Sequence, residues 1–169
     1  GLTFKDVKVP AANLLGNEGE GYKIAMYALD SSRIGVAAQA TGLAEAALAH
    51  AIEYTKERVQ FGKPLSKFQN TQFKLADMAI KVEAANLMLH NAGQDKAEGR
   101  PYTISASMAE KVLRDIAMEV TTAADSIFGG YGFSEDYPVA RLMRNAKVTQ
   151  IYEGTNEAQQ MVVGGSLLR

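Results

Sequence analysis

Residues 1–16 and the rest of the chain follow different periods. In the opening segment Leu2, Phe4, Val7 and Val9 interleave with Thr3, Lys5, Asp6 and Lys8, a short β-like pattern that Pro10 ends. A lone strand is not stable by itself, so the segment is expected to be the last strand of a sheet belonging to a larger protein. From Asn17 the spacing is helical: Asn17 and Glu20 stand at capping-box spacing, and Tyr22, Ile24, Ala25, Ala28 and Leu29 follow. A break is expected at Asp30, Ser31 and Ser32. A second, Ala-rich helix then runs from Arg33 to Val59, with Gly35 and Gly42 suggesting close approach to a neighbour, until Gly62 and Pro64 stop it.

Ser66 and Gln69 read as another capping box, followed by a stripe of Leu75, Met78, Ala79, Val82, Ala85 and Leu89 with Lys74, Asp77 and Lys81 opposite. That helix should end near Gly99. Pro101 opens the next, where Ile104, Met108, Val112, Ile116 and Val120 recur every four residues and Glu110 and Arg114 read as an exposed pair. Phe128, Gly129 and Gly130 end it. After a Gly-rich loop, Pro138 begins a helix to about Ile151, and a short interruption at Glu153 and Gly154 precedes a last helix from Thr155 to Leu168. The predicted fold is all-α: an antiparallel four-helix bundle with short extra helices, preceded by a remnant β-strand segment. Residues 1–16 form the remnant and linker, and 17–169 the bundle.

Composition narrows the chemistry more than it changes this outline. The 169 residues are 47% hydrophobic and 22% charged with a net charge of −1, so there is no electrostatic case for nucleic acid or an anionic membrane as partner. Cysteine is absent, which excludes disulfides, thiolate metal sites and cysteine nucleophiles. His50 and His90 have no second ligand at metal spacing, so no metal site is expected. Apolar runs are too short to span a bilayer.

Three places combine polar side chains with glycine at helix ends. The FGGYGF run, Phe128–Phe133, reads either as a helix C-cap with a tight turn or as backbone presented to a ligand, and it lacks the strand and spacing of a nucleotide fingerprint. In QIYEGTNEAQ, Gln150–Gln159, a carboxylate at a helix break can be a general base beside a free amide, or a solvated helix terminus with Thr155 as N-cap. Arg58 with Gln60 and Phe61 either complements a helix dipole or binds a diphosphate. Asp30 and Arg33 form a surface ion pair at least.

Taken together, RVQFGKPL (58–65), Phe68 with Gln69, FGGYGF (128–133), RLMRNAK (141–147) and QIYEGTNE (150–157) resemble acyl-CoA dehydrogenases in order and spacing over nearly the whole chain. On this likeness residues 1–16 are the exit from that family's middle β domain, and the chain is a C-terminal fragment. The resemblance implies FAD, an acyl-CoA thioester and Glu153 as the base of the short- and medium-chain members. In branched- and long-chain members the base lies at the position matching Ser32, which cannot serve as one. Tyr152 and Gly154 would flank the thioester, and Asp30 and Arg33 would lie along the CoA portion and near the base.

Arg58, Gln60, Phe61 and Gln69 would hold the flavin of a neighbouring subunit, Gly130 would present backbone to the adenosine, and Thr155 and Glu157 would contact the flavin within their own subunit. Ser126 stands where the family usually has Gln. The resemblance further implies an electron-transferring flavoprotein as partner, a homodimer or homotetramer, and a bacterial cytoplasmic or mitochondrial-matrix location. The RIGVAAQATG stretch leans toward short-chain, butyryl-CoA-like substrates. A self-associating helical bundle without catalysis of its own is the alternative.

Overall fold

The computed structural model describes residues 1–169. Helix α1 (Gly21–Glu57) leads into a hairpin of two short strands, β1 (Val59–Gln60) and β2 (Lys63–Pro64), and then α2 (Gln69–Ala97) and α3 (Thr103–Phe128). A single turn, α4 (Gly130–Phe133), precedes α5 (Pro138–Thr149) and α6 (Asn156–Leu167). The architecture is the expected all-α bundle. Contacts fix its sense: Thr103 reaches Asp30 and Tyr54 stacks on Phe128, so α1 and α3 run parallel, while α2 returns between them with Asn86 on Glu45 and Lys81 on Glu119. Helix α5 runs back along α3, from Tyr137 against Phe128 to Gln150 on Asp115. None of the helices is long and apolar enough to cross a membrane.

The core is built from small residues. Ala37, Ala40, Ala44, Ala47 and Ala51 make a fully buried stripe on α1, facing Leu113, Ala117, Val120 and Ala124 of α3, Met78, Val82 and Ala85 of α2, and Val139 and Ala146 of α5. Alanine leaves no side-chain entropy to lose and lets helix axes approach. The close approach expected at Gly35 and Gly42 is made by these alanines instead, because both glycines face open space. Gly132 is the tight contact: a Cβ there would stand 2.2 Å from the Asp125 carbonyl oxygen.

Several boundaries differ from expectation. Helix α1 is continuous through Asp30–Ser32 for 37 residues, about 55 Å. The polar triplet does not break it because each side chain has a partner: Asp30 takes the Arg33 guanidinium and the Thr103 hydroxyl, Ser31 meets Tyr102, and Ser32 bonds the Leu29 carbonyl. Ser66 does not cap α2; it lies in a 3₁₀ turn, Leu65–Lys67, and Phe68 holds the N-cap position. Asn17 and Glu20 form half of the expected box, the carboxylate accepting from the Asn17 amide at 3.2 Å, one turn ahead of the helix. Residues 1–16 form no strand, and Leu2, Phe4, Val7 and Val9 are exposed.

The largest correction lies on α3. Glu110 and Arg114, expected to be exposed, are both fully buried, whereas Met108 is exposed and Ile104, Val112 and Ile116 are only half-buried. The inward face is Ala106, Ser107, Ala109, Glu110, Leu113, Arg114, Ala117, Val120, Thr121 and Ala124, so of the expected stripe only Val120 is fully buried.

Candidate functional site

The break between α5 and α6 is a left-handed turn, with φ of 55° at Glu153 and 91° at Gly154. A non-glycine residue in this region is uncommon and needs its surroundings to hold it there. Arg114 does so from inside the bundle: Nη1 donates to the Gly154 carbonyl at 2.7 Å and Nη2 to the Tyr152 carbonyl at 3.1 Å, so the carbonyls on either side of Glu153 are tied to one buried guanidinium. Asp115 holds the flanks, its Oδ1 accepting from Gln150 and from Asn156 at 2.7 Å each. The Tyr152 hydroxyl bonds the Gln39 amide oxygen on α1.

Glu153 is itself exposed, and its Oε2 accepts from the Ser32 hydroxyl at 2.8 Å. No acceptor in the chain takes its backbone N–H. The turn therefore offers a carboxylate and a free amide side by side at the α1 face that carries Asp30 and Arg33. Those two form an ion pair, and side-chain exposures of 25% and 13% place it at the bundle wall and not free on the surface.

Behind the turn lies an ionic cluster that periodicity did not reveal. Arg114 Nη2 also bonds Glu110 Oε1, and Arg33 Nε stands 4.0 Å from Glu110 Oε2. Glu110 Oε2, Arg33 Nε and Arg114 Nε are buried without a hydrogen-bond partner. Burial pushes the Glu110 carboxyl up to about 7, with Arg114 and Arg33 opposing the rise. The folded state then holds a proton that the unfolded chain releases near the ordinary carboxylate value. Glu110's stabilising contribution is full below about 4.5 and is lost as pH rises through about 7. Glu110→Gln, which cannot ionise, is expected to gain melting temperature relative to the wild type across that window. Parallel melting curves that keep a constant difference from pH 4 to 8 would contradict this.

A second cluster gathers at the far end of α1. Arg58, Gln60 and Gly130 line one groove of about 490 Å³ with Tyr54, Phe128 and Tyr131. The Arg58 guanidinium carbon sits 5.4 Å from the Tyr131 ring centre, and Tyr54 stacks on Phe128 at 3.9 Å. Burial raises the Tyr54 hydroxyl above its ordinary value, with Arg58 opposing. Phe61 and Gly62 form the hairpin tip at φ of 51° and 78°; this turn projects the Phe61 ring outward, 93% exposed.

Gln69 opens α2 on the exposed surface. Ser126 lies in a different groove, with Lys81, Glu119 and Thr122, and its hydroxyl is already used by the Thr122 carbonyl. Thr155 holds the N-cap position of α6 and Glu157 its first turn, where its own backbone amide and the Thr155 hydroxyl hold the Glu157 carboxyl below the ordinary range. Of the expected site residues, the structure thus brings together Glu153, Asp30, Arg33, Tyr152, Gly154 and Thr155 at one end, and Arg58, Gln60 and Gly130 at the other. Sequence reasoning missed Arg114, Glu110, Asp115 and Gln39. The available signal was that Ala109, Leu113 and Ala117 flank the Glu110–Arg114 pair on one helical face.

No three His, Asp or Glu side chains cluster as a metal site. The family described as "Acyl-CoA dehydrogenase, C-terminal domain" matches residues 19–168. A short-chain-specific acyl-CoA dehydrogenase from Megasphaera elsdenii is 65% identical over 168 residues, covering 99% of this chain and 44% of that protein. The structure of butyryl-CoA dehydrogenase from the same organism superposes with a TM-score of 0.96 at 65% identity, over 98% of this chain and 43% of that one. A chain in a structure described as the electron transferring flavoprotein of Acidaminococcus fermentans also gives 0.96, at 59% identity, over 98% of this chain and 44% of its own. The chain spans less than half the length of these relatives. With the fold and these matches in agreement, the chain belongs to the acyl-CoA dehydrogenase family and corresponds to its C-terminal domain.

Proposed function

We propose that this domain serves an FAD-dependent acyl-CoA dehydrogenase that removes hydrogen from the α and β carbons of a short-chain acyl-CoA thioester, with Glu153 as the base. The observation that carries this reading is the strained turn whose two carbonyls are held by Arg114 while its carboxylate and free amide face outward together. An α-carbon next to a thioester is a weak acid, and two groups are needed to make it lose a proton. The Glu153 carboxylate takes the proton, and the Glu153 amide donates to the thioester oxygen where negative charge grows. Arg33 and Asp30, on the adjacent face of α1, border the entry for the rest of the ligand. The short-chain preference follows the Megasphaera elsdenii relatives, named short-chain specific and butyryl-CoA dehydrogenase.

The chemistry that FAD supplies when bound is acceptance of the hydride from the β-carbon. Residues of this chain fit the flavin's polar portions: Arg58 and Gln60 offer a cation and an amide in the groove beside Gly130, where absence of a side chain leaves backbone accessible. Ser126, whose hydroxyl bonds Thr122, fits less well. Arg58 follows Ser32 by 26 positions on the axis of α1, about 39 Å. One copy therefore cannot place both clusters on the same flavin. Arg58, Gln60, Phe61 and Gln69 serve a flavin beside the Glu153 of a second copy, while Thr155 and Glu157 serve their own.

Self-association is supported by Phe73, Ile80 and Leu87, a stripe at seven-residue steps on α2 with exposures of 64%, 69% and 64%. Ile80→Glu is expected to shift the assembled enzyme toward smaller species in sedimentation velocity; an unchanged distribution would count against an α2 contact. Residues 1–16, exposed along Leu2, Phe4, Val7 and Val9, are assigned to the exit from a β domain. An electron-transferring flavoprotein is the proposed electron acceptor, in line with the description of the Acidaminococcus fermentans structure. The function is tested on the full-length, flavin-loaded enzyme: Glu153→Gln should keep the flavin's visible absorbance and lose turnover of butyryl-CoA. Near-normal turnover refutes the reading.

A further inference from the structure

Ser32 is half-buried on α1, 121 residues away from Glu153 in sequence. Its hydroxyl oxygen lies 2.8 Å from Glu153 Oε2 and 3.0 Å from the Leu29 carbonyl oxygen. Both neighbours are acceptors when Glu153 is ionised, and a serine hydroxyl has one hydrogen to give. The carbonyl of Leu29 has the helix's own amide donor four residues on, so it loses little when the hydrogen turns away. The carboxylate gains a charge-assisted bond, the stronger of the two. Nothing in the chain donates to the other oxygen, Glu153 Oε1.

We propose that Ser32 is a positioning residue for the base: by occupying Oε2 from a rigid helix, it fixes the carboxylate's direction and leaves Oε1 as the oxygen that accepts the substrate's α-proton. This rests on the reading of Glu153 as base. The balance is a single proton transfer, in which the α-carbon's C–H bond breaks, its electron pair stays with the substrate, and an O–H bond forms at Oε1. Ser32 keeps its own hydrogen throughout. The division of labour is mechanical. Arg114 fixes the backbone of the turn, and a glutamate side chain on a fixed backbone still has free χ angles that only a contact near its end can hold.

The test compares wild type, Ser32→Ala and Ser32→Thr in the full-length, flavin-loaded enzyme. Ser32→Ala is expected to lower kcat about tenfold with KM nearly unchanged, because the contact aims a group that acts only in the transition state.

A readout independent of turnover is the ¹³C NMR carboxyl signal of labelled Glu153 at a single pH, identified by its absence in Glu153→Gln. That signal should shift in Ser32→Ala, where the hydrogen bond is lost, and return in Ser32→Thr, which restores the hydroxyl. Unchanged kcat in Ser32→Ala, an unmoved Glu153 signal, or a Thr variant that behaves like Ala overturns the proposal. Retained turnover in Glu153→Gln would sink the base itself, a separate outcome from an inert Ser32.

Discussion

Arg114→Met is expected to destabilise the domain by about 3–5 kcal/mol, read from the midpoint of urea unfolding, because it removes one member of a buried charge pair. Arg114 is fully buried, and it alone bonds Glu110 and both carbonyls flanking Glu153. Methionine fills much of the same volume but donates nothing, so two carbonyls and a carboxylate lose their partner together. Glu110 would retain only Arg33, at 4.0 Å. The loss should be partly reversed in the double variant Glu110→Gln with Arg114→Met, since no ionisable group is then left buried without its partner; this coupling is what a double-mutant cycle measures. A loss below about 1 kcal/mol in the single variant would mean that water, not Arg114, satisfies the turn.

Glu153→Gln should lower kcat by about 10²–10⁴-fold in the flavin-loaded enzyme, the range for removing a positioned general base. Glutamine is nearly isosteric, its amide oxygen can still accept from Ser32, and the turn's backbone bonds to Arg114 do not involve the side chain. Folding and flavin content should therefore stay near wild type while proton removal fails. Glu153→Asp keeps the acid but withdraws it by one methylene and breaks its reach to Ser32, so its rate should fall between the two. A Gln variant with less than a tenfold loss would move the base elsewhere.

Helices were legible wherever an apolar repeat had only one reading. On α2, Met78, Val82 and Ala85 are buried as their spacing predicts, with Leu75 and Leu89 half-buried and Ala79 exposed at the edge of the stripe, and Pro138 marks the start of α5. The α3 stripe misled for a geometric reason. Positions every four residues turn by 400°, so each step drifts about 40° and the series Ile104 to Val120 sweeps about 160° around the helix, too far to stay on one face. That drift carried the inferred core to exposed Met108 and left Glu110 and Arg114 looking solvated. An i, i+4 charge pair has the same spacing on either face, and only its apolar flanks tell the two apart.

Asp30–Ser32 failed differently. A polar triplet ordinarily competes with helix, but here Tyr102, Thr103 and Glu153 supply partners from more than 70 residues away, which no local pattern records. The Glu153 turn was visible in sequence as a carboxylate followed by glycine. Its support was not, because Arg114, Asp115, Gln39 and Ser32 come from other helices. Arg58, Gln60 and Gly130 meet because α1 and α3 run parallel and end together, whereas Ser126 points to another groove.

The Glu153 carboxylate is expected to meet the α-carbon of a thioester, and a crystal structure of the full-length enzyme with FAD and a bound acyl-CoA would display that contact. The prediction is one Glu153 carboxylate oxygen about 3–3.5 Å from the α-carbon, with the Glu153 amide on the thioester oxygen. A thioester bound elsewhere, or an α-carbon facing a different carboxylate with Glu153 turned to solvent, would contradict it.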